Sequence, residues 1–271
     1  DNVGYYAQQA FLGYQSYLLD YDSETSSFNS LAKYENGVDH NHSIYSSGFN
    51  NKASLNLSWQ YKDNFYWGIN LNFHDILVEK ELRHVESNFD SDSPITDIDF
   101  RNYLTSNGSG ISVQGGLIYK LKTIRLGLSY TTPTYYNFED NLEQYIKTSS
   151  VDVDGNSFTD IVDPQIINLY DYDFKSPSKL SFSVASIINN MIIISADLVS
   201  KDYSNSKFKH ENDGLYNSLN SAIGKNLSSV LDYKIGTEIK LNQFSLRGGY
   251  KALNNPYNTK EKKYIAAQTI G

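Results

Sequence analysis

Six charged side chains, Arg125, Lys234, Glu238, Lys240, Arg247 and Lys251, sit within apolar segments at every second position, opposite the apolar side chains. A carboxylate-bearing ligand needs a cation, and arginine offers it a bidentate fork. The ordinary alternative is that Lys and Glu on neighbouring strands simply pair. Two further segments read as short amphipathic helices. In the first, Asp140 and Glu143 have capping spacing, and Phe138, Leu142, Tyr145 and Ile146 share one helical face. In the second, Asp213 precedes Leu215, Leu219, Ala222 and Ile223, with Gly224 as a natural stop. Their apolar faces would form a greasy groove, or else pack on each other or on neighbouring structure.

Metal chemistry has two weaker candidates. Asp152, Asp154, Asn156, Asp160 and Asp163 stand at positions one, three, five, nine and twelve of a calcium loop. The glycine falls at position four instead of six, however, and a shorter Asp replaces the final Glu, so a solvated acidic loop explains the run as well. His40 and His42 could ligate a metal or haem, although a His-x-His pair in a polar stretch commonly does neither. No Ser-His-Asp or paired-carboxylate spacing stands out, so enzymatic activity is not expected. No cofactor is expected either. With no Cys in 271 residues, thiolate nucleophiles, disulfides and cysteine metal sites are excluded. The balance of 23 basic against 31 acidic residues leaves no basic stripe for phosphates, which argues against a nucleic-acid partner.

The elements that must position these residues are strands. Phe65, Trp67, Ile69, Leu71 and Phe73 alternate with Tyr66, Gly68, Asn70, Asn72 and His74. The same period of two runs through 53–61, 111–119, 124–130, 180–185, 231–241 and 244–251, and it places successive side chains on opposite faces. Ten strands are expected, starting near 8, 51, 65, 110, 124, 179, 191, 229, 244 and 264. With 23 Tyr and 13 Phe the chain carries too much aromatic surface for a disordered one. No run approaches the roughly 18 apolar residues of a spanning helix.

Connections alternate in length. Tight turns fall at Lys62–Asn64, Lys122–Thr123, Asn189–Asn190 and Asn242–Gln243. Between them lie polar stretches at about 20–50, 80–109, 132–178 and 204–228, which read as long loops. Short turns on one side and long loops on the other are the arrangement of a transmembrane antiparallel β-barrel, whose strands need only about 9–11 residues each. Trp59, Tyr61, Phe65 and Trp67 flank one turn, with Tyr119 and Phe244 beside two others, as in an interfacial aromatic girdle. A soluble β-sandwich would share the alternation but would explain neither the loop asymmetry nor the loop lengths. The expectation is therefore a single all-β barrel domain over 1–271 that continues beyond Gly271 and before Asp1, because a strand ending within lipid leaves an unpaired edge.

At the level of motifs, Asn107-Gly108-Ser109-Gly110 through Gly116-Leu117-Ile118-Tyr119-Lys120, then Ile124-Arg125-Leu126-Gly127-Leu128 and Thr132-Pro133-Thr134-Tyr135, resembles the FadL-type family of outer-membrane transporters for long-chain fatty acids and other hydrophobic compounds. Ser176-Pro177-Ser178-Lys179 with Asp197 and Asp202-Tyr203-Ser204 is similar to that family's next hairpin. Tyr233-Lys234-Ile235-Gly236-Thr237-Glu238, followed by Phe244-Ser245-Leu246-Arg247-Gly248-Gly249-Tyr250 and Asn255-Pro256-Tyr257, looks like the one after it. The resemblance implies a fourteen-stranded barrel in a Gram-negative outer membrane, with a loop groove that captures the ligand and a wall opening that releases it laterally. The family's hatch segment, with its Asn-Pro-Ala-type motif, is absent from these residues. The implied partners are the lipid bilayer with its lipopolysaccharide and a hydrophobic small-molecule ligand. Two other readings stay open: a non-transporting barrel that docks protein partners in an outer-membrane complex, and a haem-binding receptor using His40 and His42.

Overall fold

A computed structural model describes residues 5–164, 168–210, 214–241, 243–258 and 268–270. The chain opens with helix α1 (Tyr5–Gln15) and the small ladder β1 (Leu19–Asp22) and β2 (Ser27–Ser30). Long strands follow: β3 (Asp39–Tyr61), β4 (Phe65–Ser87), β5 (Ile95–Leu121), β6 (Ile124–Thr131) and β7 (Tyr135–Val151). Then come β8 (Ser157–Val162), β9 (Asn168–Lys175), β10 (Lys179–Ile188), β11 (Ile192–Asp202), a 3₁₀ turn and β12 (Lys207–Lys209). Helix α2 (Asn217–Asn226) precedes β13 (Ser229–Leu241), β14 (Phe244–Ala252) and β15 (Gln268–Ile270). Beyond β1 and β2, the described strands form one sheet in the order β12-β9-β7-β5-β6-β10-β11-β13-β14-β15, with β3 on β4, β4 on β5 and β8 on β7. The expected all-β antiparallel architecture is present, and among the described residues the sheet is not closed on itself.

Several expectations need correction. The segment near residue 8 is helix, not strand, because YYAQQAFLGYQ has Ala, Gln and Leu but no β-branched residue. Its end is closed by Leu18 N–H donating to Gly13 O at 2.9 Å and Tyr17 N–H to Tyr14 O at 3.1 Å, with Tyr17 in the left-handed region. The polar stretches 20–50, 80–109 and 132–178 are largely strand rather than loop, so β3, β4 and β5 run for 23, 23 and 27 residues, far beyond the 9–11 expected. Polar residues hid these extensions because both strand faces there carry Asp, Glu, Asn or Lys, which removes the alternation that marks a strand. The stretch 204–228 does hold non-strand structure, including α2 where a helix was expected. The turns at 62–64, 122–123 and 189–190 are tight, with Lys62, Lys122, Asn189 and Asn190 at positive φ, a backbone conformation that short hairpin turns use. Asn242, residues 259–267 with the start of the tenth strand, and Asp213 lie outside the described residues.

Contacts divide the chain into two compact units: Asp1–Phe49 with Leu77–Asn107 and Glu139–Tyr170, and Asn50–Ile76 with Gly108–Phe138 and Asp171–Gly271. The first has an apolar core of Leu12, Ala32, Ile95, Ile98 and Ile146, against which Leu18, Leu31, Phe89, Phe100 and Val162 pack. Thr148 ties the turn after α1 to β7 by donating from Oγ1 to Ser16 O at 2.5 Å, with both residues fully buried.

The same unit carries a two-arginine clasp on one carboxylate. Arg101 Nη2 donates to Asp99 Oδ2 at 2.7 Å, and Arg83 donates at 2.9 and 3.0 Å. The Arg101 hydrogen bonds, then those of Arg83, hold the Asp99 carboxyl well below its ordinary range, against the opposing effect of partial burial. A carboxylate with a depressed folded pKa stabilises the fold above the unfolded value near 4 and loses that contribution as pH falls below it. Both arginines are part-exposed, so solvent screening reduces what the clasp contributes to stability. Asp99→Asn should therefore lower the guanidinium unfolding midpoint at pH 7, and the gap to wild type should narrow as pH falls from about 4 toward 2.

Candidate functional site

In the second unit the strand register stacks like side chains into rows that cross the sheet. Leu117 pairs Leu128, which pairs Phe182, then Leu198, then Tyr233. Each of these five is 40–45% exposed, so an apolar band of side chains faces outward across five neighbouring strands. A second row, Tyr119–Leu126–Val184–Ala196–Ile235–Tyr250, runs beside it. The opposite face of the same strands is polar: Gly127, Ser183, Asp197, Lys234 and Lys251 succeed one another in register. Further along that face Ser54 donates to Asn72 at 2.8 Å and Asn56 to Asn70 at 2.5 Å.

Toward one end the two faces exchange character. On β5 the apolar face runs Ile111, Val113, Leu117, Tyr119 and Leu121, while Ser112 and Gln114 lie on the polar one. Where that polar face reaches β7, β9 and β12, it becomes aromatic instead. Tyr136 and Phe138 project from β7, Tyr172 and Phe174 from β9, and Phe208 from β12, all half-buried. Their exposed neighbours Asn137, Asp173, Lys207 and Lys209 occupy the other face. Phe138 stacks on Tyr172 with ring centres 5.4 Å apart, Phe174 meets Phe208 at 4.8 Å, and Tyr216, just before α2, closes on Phe208 at 5.7 Å. His74 extends the series to Tyr136 at 5.6 Å.

Two glycines make this shelf possible. A Cβ on Gly108 would collide with the Phe138 ring, and one on Gly110 with the Tyr136 ring, so the rings lie directly on the β5 backbone. Helix α2 is held over β12 by Asn220, which accepts from Phe208 N–H at 2.9 Å and donates to Phe208 O at 2.8 Å. A cavity of about 560 Å³ next to these strands is lined mainly from the face opposite the shelf, by Phe73, Ile111, Asn137, Asp173, Lys175 and Lys209, with His74, Tyr136 and Phe174 contributing from the shelf strands. The aromatic walls of the shelf itself suit an apolar ligand.

A second pocket, of about 310 Å³, lies on the polar face among Lys179, Lys201, Lys234 and Lys251, with Asp197 and Asp232. Asp232 is nearly fully buried; it accepts from Lys201 Nζ at 3.1 Å and from Asn254 N–H at 2.9 Å. Four ammonium groups against two carboxylates leave this pocket positive, so it attracts carboxylate or phosphate oxygens.

The predicted site residues scatter across this arrangement. Phe138 belongs to the shelf. Leu142, Tyr145 and Ile146 are not on a helix but on β7, and they lie in the first unit. Phe138, Leu142 and Ile146 are spaced by four, which lines one face of a strand as well as of a helix, and ladder pairing decides for the strand. Ile146 is core, and Tyr145 lies under the Arg101 guanidinium at 5.5 Å. Leu219 and Ile223 are on α2 with Leu215 ahead of it; Leu215 and Leu219 are exposed, and Ile223 is half-buried. Arg125 and Lys234 sit on the polar face, whereas Arg247 is engaged with its cross-strand partner Glu238 at 3.2 Å, the ordinary pairing. The calcium-loop reading fails on geometry. Asp152 accepts from the backbone N–H of Asp154 and Asn156 at 2.9 and 2.8 Å in a tight Asx turn, while Asp160 lies within β8 and Asp163 beyond it. Sequence reasoning missed Tyr172, Phe174, Phe208 and Lys201, although Tyr172 and Phe174 alternate with Asp171 and Asp173 in the sequence itself.

No family model matches the chain. No curated protein matches it closely enough to count as a relative. Among solved structures, the chain is similar to the crystal structure of the Pseudomonas putida toluene transporter TodX, at 14% identity, over 79% of this chain and 72% of that one, with a TM-score of 0.34.

Proposed function

We propose that this chain forms part of the wall of a FadL-type outer-membrane channel that passes hydrophobic small molecules, single-chain amphiphiles such as long-chain fatty acids among them. The observation that carries the reading is the exchange of faces on one sheet. The outward apolar rows suit contact with lipid, which tolerates no unpaired polar side chains at depth. The aromatic shelf lies on the opposite face, where an apolar ligand would be shielded from the membrane. The lysine pocket farther along that face would take the ligand's anionic end. Passage needs no energy beyond binding and dilution downstream, and no residue is assigned a chemical step.

The test is native mass spectrometry with lipid extraction on the full-length protein purified in a mild detergent. One co-purifying single-chain amphiphile is expected, with its occupancy reduced at least several-fold in Phe174→Ala/Phe208→Ala. A tightly bound protein partner with no amphiphile would replace transport by docking.

A further inference from the structure

His40 and His42 do not stand alone. Both lie on β3, two residues apart and hence on one face; His84 and Glu86 have the same relation on β4. The two strands form a hairpin folded at Asp63. Its cross-strand contacts, Ser47 with Glu79, Ser54 with Asn72, Asn56 with Asn70 and Trp59 with Trp67, each join residues equally far from that turn. The same symmetry sets His42 against His84 and His40 against Glu86.

The side chains meet accordingly. His40 Nδ1 lies 3.3 Å from Glu86 Oε1, and His84 Nε2 lies 2.9 Å from the same oxygen. One ligand atom from each of His40, His84 and Glu86 falls within 4.8 Å of the others. The His42 ring is centred 5.7 Å from that of His84, and the His40 ring 5.5 Å from it. Two imidazoles and a carboxylate converging on one point form a donor set that binds zinc, nickel or copper(II), and metal–ligand bonds of about 2.0–2.2 Å can draw such a cluster in. Simple pairing of Glu86 with both rings would explain either histidine contact but leaves a third imidazole at the same place unaccounted for.

We propose that His40, His84 and Glu86 form a divalent transition-metal site, with His42 placed to supply a fourth ligand. An ion there would bridge β3 to β4 far from the turn at Asp63, fixing the distal end of a long hairpin. The site is independent of the transport reading, since it shares no residue with the shelf or the lysine pocket.

The test is isothermal titration of zinc chloride into the full-length protein, purified without a histidine tag and stripped with chelator. The expected result is one site per chain with a dissociation constant of about 10 μM or tighter, and at least tenfold weaker binding in both His84→Ala and Glu86→Gln. His42→Ala should weaken binding by a smaller factor. These side chains are at least partly exposed, so the variants should keep the wild-type strand signature in circular dichroism. Zinc binding that is undiminished in His84→Ala and Glu86→Gln, or absent in the wild type, would overturn the proposal.

Discussion

Leu198→Arg should sharply lower the fraction of protein that folds into lipid vesicles, while Ser129→Arg should leave it near the wild-type level. Leu198 lies inside the outward row Leu117–Leu128–Phe182–Leu198–Tyr233, between Phe182 and Tyr233, and Ser129 faces the other way on β6. If the row contacts lipid, an arginine within it costs about 2–4 kcal/mol near the bilayer midplane, and next to nothing on the polar face. At about 1.4 kcal/mol per factor of ten, the outward variant should shift the folding equilibrium by roughly one to three orders of magnitude. Urea titration of the vesicle-folded protein, read by heat-modifiable electrophoresis, measures both variants. Equal midpoints would show that the two faces meet the same solvent and would end the membrane assignment.

The second large effect concerns the shelf. Gly110→Leu should abolish most ligand binding, because even the new Cβ would overlap the Tyr136 ring and drive it from its place between His74 and Phe138. Overpacking of this kind costs about 1–3 kcal/mol in stability, and losing the aromatic wall should weaken binding of a fluorescent fatty-acid analogue by tenfold or more. Gly115→Leu is the control: the space around its Cβ is open, so binding should be unchanged. Tyr136→Ala combined with Gly110→Leu should recover part of the stability, since the overlap is then gone. If Gly110→Leu binds the analogue as tightly as wild type, the shelf is not where the ligand rests.

These effects depend on features of unequal visibility in the sequence. Strand alternation from Phe65 to Phe73 or from Leu231 to Leu241 is plain, because one face is apolar and the other polar, and the structure keeps that register. Alternation disappears in Leu77–Ser87 and in the first half of β5, where polar residues occupy both faces, and there long strands passed for loops. The helical reading of 138–146 failed because a spacing of four fits either element, and only the flanking strands decide between them. The shelf was partly legible, with Tyr136, Phe138, Tyr172 and Phe174 alternating against polar neighbours. Their convergence with Phe208 was not, because it rests on the pairing of β7 with β9 and β9 with β12, which no local pattern encodes. The histidine cluster shows the opposite case. Once the turn at Lys62–Asn64 is fixed, hairpin symmetry alone carries His84 and Glu86 to His42 and His40.

The outward apolar stretch of β5 also acts as a ruler. It begins at Ile111 and ends at Leu121, beside the Lys122 turn. On the membrane reading proposed above, at about 3.4 Å per residue and a strand tilt of about 40°, it would span roughly 26 Å of membrane normal. That height is short of the roughly 30 Å of an average bilayer and fits the thinner hydrocarbon layer of a bacterial outer membrane. Hydrophobic matching would therefore favour this wall in short-chain lipid and disfavour it in thick bilayers. On that reading the length of the apolar stretch, rather than of the whole strand, would act as a sorting signal, read by the membrane without any receptor.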